Sequence, residues 1–246
     1  VNALRFGEDM VVGTRRGVAD VHIGNAPVVF VGYGVNAPEA NWNDYAGIDV
    51  KDKVVVMLIN DPGFHNGDES LFEGRRMTYY GRWTYKFEEA ARQGAAAAII
   101  IHDTPGAAYD WDVVKHSWSG AQFDLLPTDD PAPRLPMQGW ITGEQANAIF
   151  AQSGLSLEQL RAAAGKRGFK AVPIPRAAFE ATLHSSIRQS SSRNVVAKLP
   201  GTKRPNEAIV YSAHWDHLGT HPDEPGDNIY NGAIDNATGV AGVLEI

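Results

Sequence analysis

The sequence predicts an α/β chain in two parts. Three observations predict it: a strand, helix, strand order between residues 54 and 101; a change of texture at Pro173-Ile174-Pro175; and a strand, turn, helix order between residues 208 and 244. A hydrophobic share of 43% over 246 residues supports one large domain or two smaller ones.

Residues 1–24 read as irregular, with an alternating edge strand at Val18–Ile23. Val28–Val31 is a continuous apolar run ending at Gly32, the pattern of a buried strand. Val54–Ile59 is a second such run, closed by the turn signal Asn60-Asp61-Pro62-Gly63. Trp83, Phe87, Ala90 and Ala91 recur at helical spacing, and Gly94 ends that helix before a third buried strand at Ala97–Ile101. Thr104 to Pro136 reads as a long loop whose aromatics, Trp111, Trp118 and Phe123, make it a candidate binding surface. A strand at Met137–Ile141 and a helix from Thr142 to Phe150 follow. The next helix is Leu157–Ala164, with Ser156 as its N-cap and Gly165 as its stop. Past the prolines, Phe179–Ser185 alternates as one arm of a hairpin with Asn194–Leu199, and a further strand is expected over 207–213.

Composition excludes several functions. A net charge of −7, with basic residues clustered only as the pairs Arg15-Arg16 and Arg75-Arg76, argues against nucleic-acid binding. The absence of cysteine removes disulfides, thiolate metal sites and cysteine nucleophiles. No apolar run approaches the roughly 20 residues of a membrane span. Gly32-Tyr33-Gly34-Val35-Asn36-Ala37 matches a dinucleotide fingerprint in letter, but Pro38 opposes the helix that the motif needs. The acidic loop His221–Asp227 lacks the alternate-ligand spacing of a calcium loop and reads as a solvated turn.

The chemistry concentrates near the end of the chain. His214 and Asp216 stand where the strand at 207–213 is expected to finish, and Asp235 stands in a glycine-flanked turn before an apolar helix. Imidazole and carboxylate are the ligands of catalytic zinc, a carboxylate can bridge two ions, and a second carboxylate two residues from a histidine can orient its ring. Two plainer readings stand beside this one: a hydrogen-bonded His–Asp pair, and an Asp235-Asn236 helix cap. His217 is expected to point away from the pair and to be structural.

Three segments carry a family resemblance: Asn194–Gly201, then His214-Trp215-Asp216-His217-Leu218-Gly219, then Asn231-Gly232-Ala233-Ile234-Asp235-Asn236-Ala237-Thr238-Gly239. Residues 177–246 resemble the opening of the co-catalytic di-zinc aminopeptidase and glutamate carboxypeptidase family. The resemblance implies an exopeptidase, most simply an aminopeptidase, with removal of a C-terminal acidic residue left open, that hydrolyses peptide substrates with water activated by two zinc ions. It gives His214 to one zinc and Asp235 to both, makes Asp216 the catalytic-site aspartate, and marks Asp235-Asn236 as a candidate cis bond. The family's general base and remaining ligands come later than Asp235. The chain is therefore expected to be truncated early in the catalytic domain, to bind zinc weakly and to be inactive alone.

Upstream, Val29–Gly34, Asp44-Tyr45, Asp49–Val55 and Glu89–Ala95 resemble a protease-associated domain, a β-rich module with flanking helices. The resulting division is an N-terminal segment at 1–24, a protease-associated domain at 25–172, and the first part of an α/β/α zinc exopeptidase domain at 173–246. The resemblance further implies a periplasmic or secreted protein. The alternative is a non-enzymatic protease-associated module that recognises peptide or protein partners. Oligomeric state is left open by the sequence.

Overall fold

Along the chain the strands are Met10–Gly13 (β1), Asp20–Phe30 (β2), the short pair Asn36–Ala37 (β3) and Trp42–Asn43 (β4), Val54–Leu58 (β5), Ala97–Ile101 (β6), Met137–Ile141 (β7), Val172–His184 (β8), Gly219–Thr220 (β9) and Ile229–Tyr230 (β10). The helices are Trp83–Arg92 (α1), Thr104–Ala107 (α2), Trp111–Ser119 (α3), Gly143–Gln152 (α4), Leu157–Ala164 (α5) and Thr238–Leu244 (α6). This is a computed structural model, and it describes residues 2–126, 128–220, 222 and 225–246. They divide into two units, one ending at Gln189 and one spanning Ser190–Ile246.

The first unit is α/β. Six strands join one mixed sheet in the order β1-β7-β6-β5-β2-β8. The middle four are parallel, and β1 and β8 close the edges antiparallel to β7 and β2. All five residues of β5, of β6 and of β7 are buried, as expected of parallel strands covered on both faces. Alternation then sorts their side chains. Val54, Val56, Leu58, Ile99, Ile101 and Met137 pack with Phe150 and Leu157 on one face. Val55, Met57, Ala98, Ile100 and Trp140 pack with Phe87, Ala90 and Val114 on the other. Each such aliphatic side chain contributes about 1.5–3 kcal/mol by leaving water.

Local signals account for the element ends. Thr142 and Ser156 cap α4 and α5 by accepting from the amides of Gln145 and Gln159, both at 3.3 Å. After α1 the amide of Ala95 bonds back to the carbonyl of Ala90 at 3.0 Å across Gly94, closing the helix as expected. Gly34 leads into β3 rather than into a helix, so the dinucleotide fingerprint has no structural counterpart.

Several expectations are corrected. The edge strand at Val18–Ile23 and the run at Val28–Val31 are one strand, β2. Its register slips twice against β8, between Ile23 and Ala26 and between Pro27 and Val29. Of β2, only Val28–Phe30 pair with β5, so Pro27, which has no amide hydrogen to give, sits outside that parallel ladder. The expected loop at 104–136 holds two helices. Trp111, Val114 and Trp118 of α3 stand at i, i+3 and i+7, and the Trp111 indole donates to the carbonyl of Gly7 at 2.8 Å. The expected division at 172/173 falls at the head of β8, which belongs to the six-stranded sheet of the first unit.

The second unit contains the two-stranded antiparallel β9–β10 pair, a distorted turn at Ala233–Ala237 and α6. The expected hairpin arm Asn194–Leu199 and the strand at 207–213 do not form. Val195 and Leu199 are 97% and 95% exposed, and Ile209 and Val210 are exposed as well. A strand gains stability only through a partner and a covered face, and these segments have neither within their unit.

Candidate functional site

The turn that carries Asp235 is shaped by its glycines. Gly232 has φ of 65°, and a Cβ there would lie 2.9 Å from that of His217 and 2.8 Å from the carbonyl oxygen of Asp235. At the far side the Asn236 Oδ1 accepts from the amide of Gly239 at 3.1 Å, and a Cβ on Gly239 would lie 2.3 Å from that oxygen. The amide of Ala237 bonds to the carbonyl of Gly232 at 3.0 Å, and the Thr238 hydroxyl donates to the carbonyl of Ile234 at 2.7 Å. The Asp235–Asn236 peptide bond is cis. Asp235, with φ −111° and ψ 89°, stands outside helical geometry.

His214 meets both aspartates singled out by the sequence. Its Nε2 lies 2.9 Å from Asp235 Oδ1. Its Nδ1 lies 2.9 Å from the carbonyl oxygen of Asp216 and 3.3 Å from Asp216 Oδ1. The Asp216 carbonyl raises the pKa of His214, desolvation opposes it, and the carboxylates of Asp235 and Asp216 add to the rise. The site is open: the side chains of His214, Asp216 and Asp235 are 52%, 86% and 69% exposed. His214 was expected at the end of a buried strand; it lies instead in a segment without regular structure.

The donor chemistry fits a metal in kind. With Nδ1 engaged by Asp216, Nε2 is the nitrogen left to coordinate, and it faces a carboxylate oxygen; neutral imidazole plus carboxylate is a zinc donor pair. It does not fit in number, because among the described residues no three His, Asp or Glu side chains gather as a metal group. His217 packs its ring near Tyr230, with centroids 6.5 Å apart, and its Cβ stands where only a glycine fits at position 232. His221, Asp223 and Glu224 of the acidic loop lie outside the described residues. Asp227, from the same loop, accepts from the amide of Ile229 at 3.1 Å.

Of the plainer reading of Asp235-Asn236 as a helix cap, the structure shows the Asn236 part: its side chain ties the turn to the start of α6. The signal was available in the three-residue spacing from Asn236 to Gly239, an Asx-type capping distance.

No curated protein matches the chain. Among solved structures, an aminopeptidase from Aneurinibacillus sp. strain AM-1 is similar at 19% identity over 74% of this chain and 34% of that one, with a TM-score of 0.28. The chain thus spans about a third of that protein's length. The family described as Peptidase family M28 matches residues 194–246, the stretch that holds His214, Asp216 and Asp235.

Proposed function

We propose that the chain is part of a zinc-dependent exopeptidase, most simply an aminopeptidase, with a protease-associated module formed by the first unit preceding the catalytic segment. The observation that carries the proposal is the bracketing of one imidazole by two carboxylates, Asp235 at Nε2 and Asp216 at Nδ1, inside the stretch that matches the peptidase family. In this reading His214 and Asp235 would hold the metal. A bound zinc would supply Lewis-acid polarisation of the scissile carbonyl and of water.

The chain's own residues prepare that site. Asp216 holds the proton of His214 at Nδ1 and so keeps Nε2 as an acceptor. The carboxylate of Asp235 adds negative charge that a cation would neutralise. Because proton and metal compete for Nε2, and the aspartates favour the protonated ring, metal uptake should rise from acid to neutral pH. The exposure of the three side chains leaves an approach open to a peptide end. A general base and further ligands are required for turnover, and none is assigned among the described residues, so the chain by itself is proposed to be inactive.

Zinc titration of the chain, followed by calorimetry and by the ring nitrogen shifts of the histidines, tests the proposal. Binding is expected at micromolar or weaker affinity, with the His214 Nε2 resonance responding. H214A and D235A should abolish that response, and D216N, which removes the carboxylate at 3.3 Å and keeps the carbonyl bond to Nδ1, should weaken binding less than either. Zinc uptake unchanged by H214A and D235A would overturn the assignment, and two-site submicromolar binding would overturn the inactive-chain reading. The alternative, a non-enzymatic module recognising peptides or proteins, is favoured by the shortage of donors around His214. It predicts that the whole encoded polypeptide does not hydrolyse aminoacyl-p-nitroanilides; the peptidase reading predicts hydrolysis that D235A eliminates.

A further inference from the structure

A cleft of about 400 Å³ lies in the first unit, away from any residue assigned above. One wall is the β3–β4 pair with its connecting turn, contributing Asn41, Trp42 and Asn43. The other is the segment between α5 and β8, contributing Arg167 and Lys170. The volume is in the range of small-ligand sites.

Its chemistry is one-sided. The carboxylate on its floor, Asp44, is buried and already accepts from the amides of Tyr33 and Val35, at 3.1 and 3.0 Å, and from the Trp42 indole at 2.8 Å. Glu39, near the rim by sequence, is engaged by the Tyr80 hydroxyl. The two cations make no ion pair among the described residues, although the charge of Arg167 reaches the exposed Asp68 carboxylate. Arg167 spends one nitrogen on the carbonyl of Ala40, at 2.8 Å, and holds its guanidinium 6.0 Å from the Trp42 ring centre. Lys170 makes no ion pair or hydrogen bond among the described residues, and neither does the side chain of Asn41. Asn43 uses its Oδ1 on the Tyr45 amide at 2.8 Å, which leaves its NH2 group to donate.

A chain with 29 acidic and 22 basic residues has carboxylates in excess, yet two cations face this cleft unpaired. A rigid guanidinium, held by a carbonyl and by an aromatic face, is suited to the planar carboxylate. Side-chain amides that both donate and accept are suited to peptide bonds. We infer that the cleft between Asn41–Asn43 and Arg167–Lys170 binds an extended peptide segment bearing a carboxylate, with Arg167 and Lys170 on the carboxylate and Asn41 and Asn43 on the backbone. The inference is independent of the peptidase reading.

Chemical-shift titration of the isotopically labelled full chain tests it with three short peptides. The first carries two glutamates and is blocked at both ends, the second carries two glutamines and a free C-terminus, and the third carries two lysines and is blocked. The first or the second is expected to move the Asn41 and Asn43 side-chain amides and the Arg167 Nε resonance. Response to the first identifies a side-chain carboxylate as the ligand, and response to the second identifies a chain terminus. K170E should weaken binding roughly five- to thirtyfold, while R16E, the same change in net charge on an exposed arginine, should leave it within about twofold. Equal response to the lysine peptide, no response to either carboxylate peptide, or equal loss in R16E and a folded K170E would overturn the inference.

Discussion

Lys86 is fully buried in the first unit, yet among the described residues no carboxylate lies within ion-pair distance of it. Its ammonium donates to the carbonyls of Tyr33 at 2.6 Å, Asn60 at 2.9 Å and Tyr80 at 3.4 Å, so it pins the turns after β2 and β5 to α1. Burial lowers its pKa to about 8, and the more distant charges of Asp61 and Asp44 only partly oppose this. Between that value and the ordinary lysine range the unfolded chain binds more protons than the folded one. This group therefore makes stability rise with pH over roughly pH 8–10.5 and contributes no slope below about 8. K86M should remove that rise. It should also leave two buried carbonyls without a donor, a cost of about 1–3 kcal/mol that at neutral pH is offset by no longer burying a charge, so stability at pH 7 should change little. Denaturant unfolding at pH 7 and pH 10 measures both outcomes. None of this was legible beforehand, since a lysine within α1 reads as a solvated face. His214, Asp216 and Asp235 were legible because their order and spacing encode chemistry rather than burial.

At the scale of elements, β7 illustrates how closely strands must approach. A Cβ on Gly139, whose ladder partner on β1 is Val12, would stand 2.0 Å from the carbonyl oxygen of Val11. G139A should separate β1 from β7 and destabilise the first unit by about 3 kcal/mol or more, measured by thermal unfolding with amide exchange on Met10–Gly13 as the local readout. The apolar runs of β5, β6 and β7, the helices α1, α4 and α5, and the caps Thr142 and Ser156 could be read directly, because parallel strands and capped helices write their periods locally. The segment holding α2 and α3 was masked by prolines and glycines on either side, although Trp111, Val114 and Trp118 carry a helical period. The strands expected at 194–199 and 207–213 failed for another reason. Their apolar residues satisfy the local pattern, but a strand is completed by its neighbours, and pattern alone does not supply them.

For the whole molecule, the division after Gln189 matters more than the composition break at residue 173. Pro173 and Pro175 read as an interruption, yet they sit in an edge strand, where a missing amide hydrogen is tolerated. Beyond Gln189 the chain runs exposed through Arg193, Lys198, Lys203 and Arg204. Limited trypsin digestion should cut there first and leave a resistant product close to residues 1–189, whose cooperative unfolding matches that of the intact chain. Equal early cleavage within the first unit would contradict the division.

The register of β2 against β8 also bears on how the first unit comes into being during synthesis. Val28–Phe30 can pair as soon as β5 has emerged, but Asp20–Pro27 have only β8 as a ladder partner, and Asp20 pairs with His184. At about 5–20 residues per second, some ten to thirty seconds separate the appearance of those two ends at the ribosome. Through that interval one flank of the nascent sheet is an open ladder, and it is then that chaperones or neighbouring nascent chains have their chance to engage it.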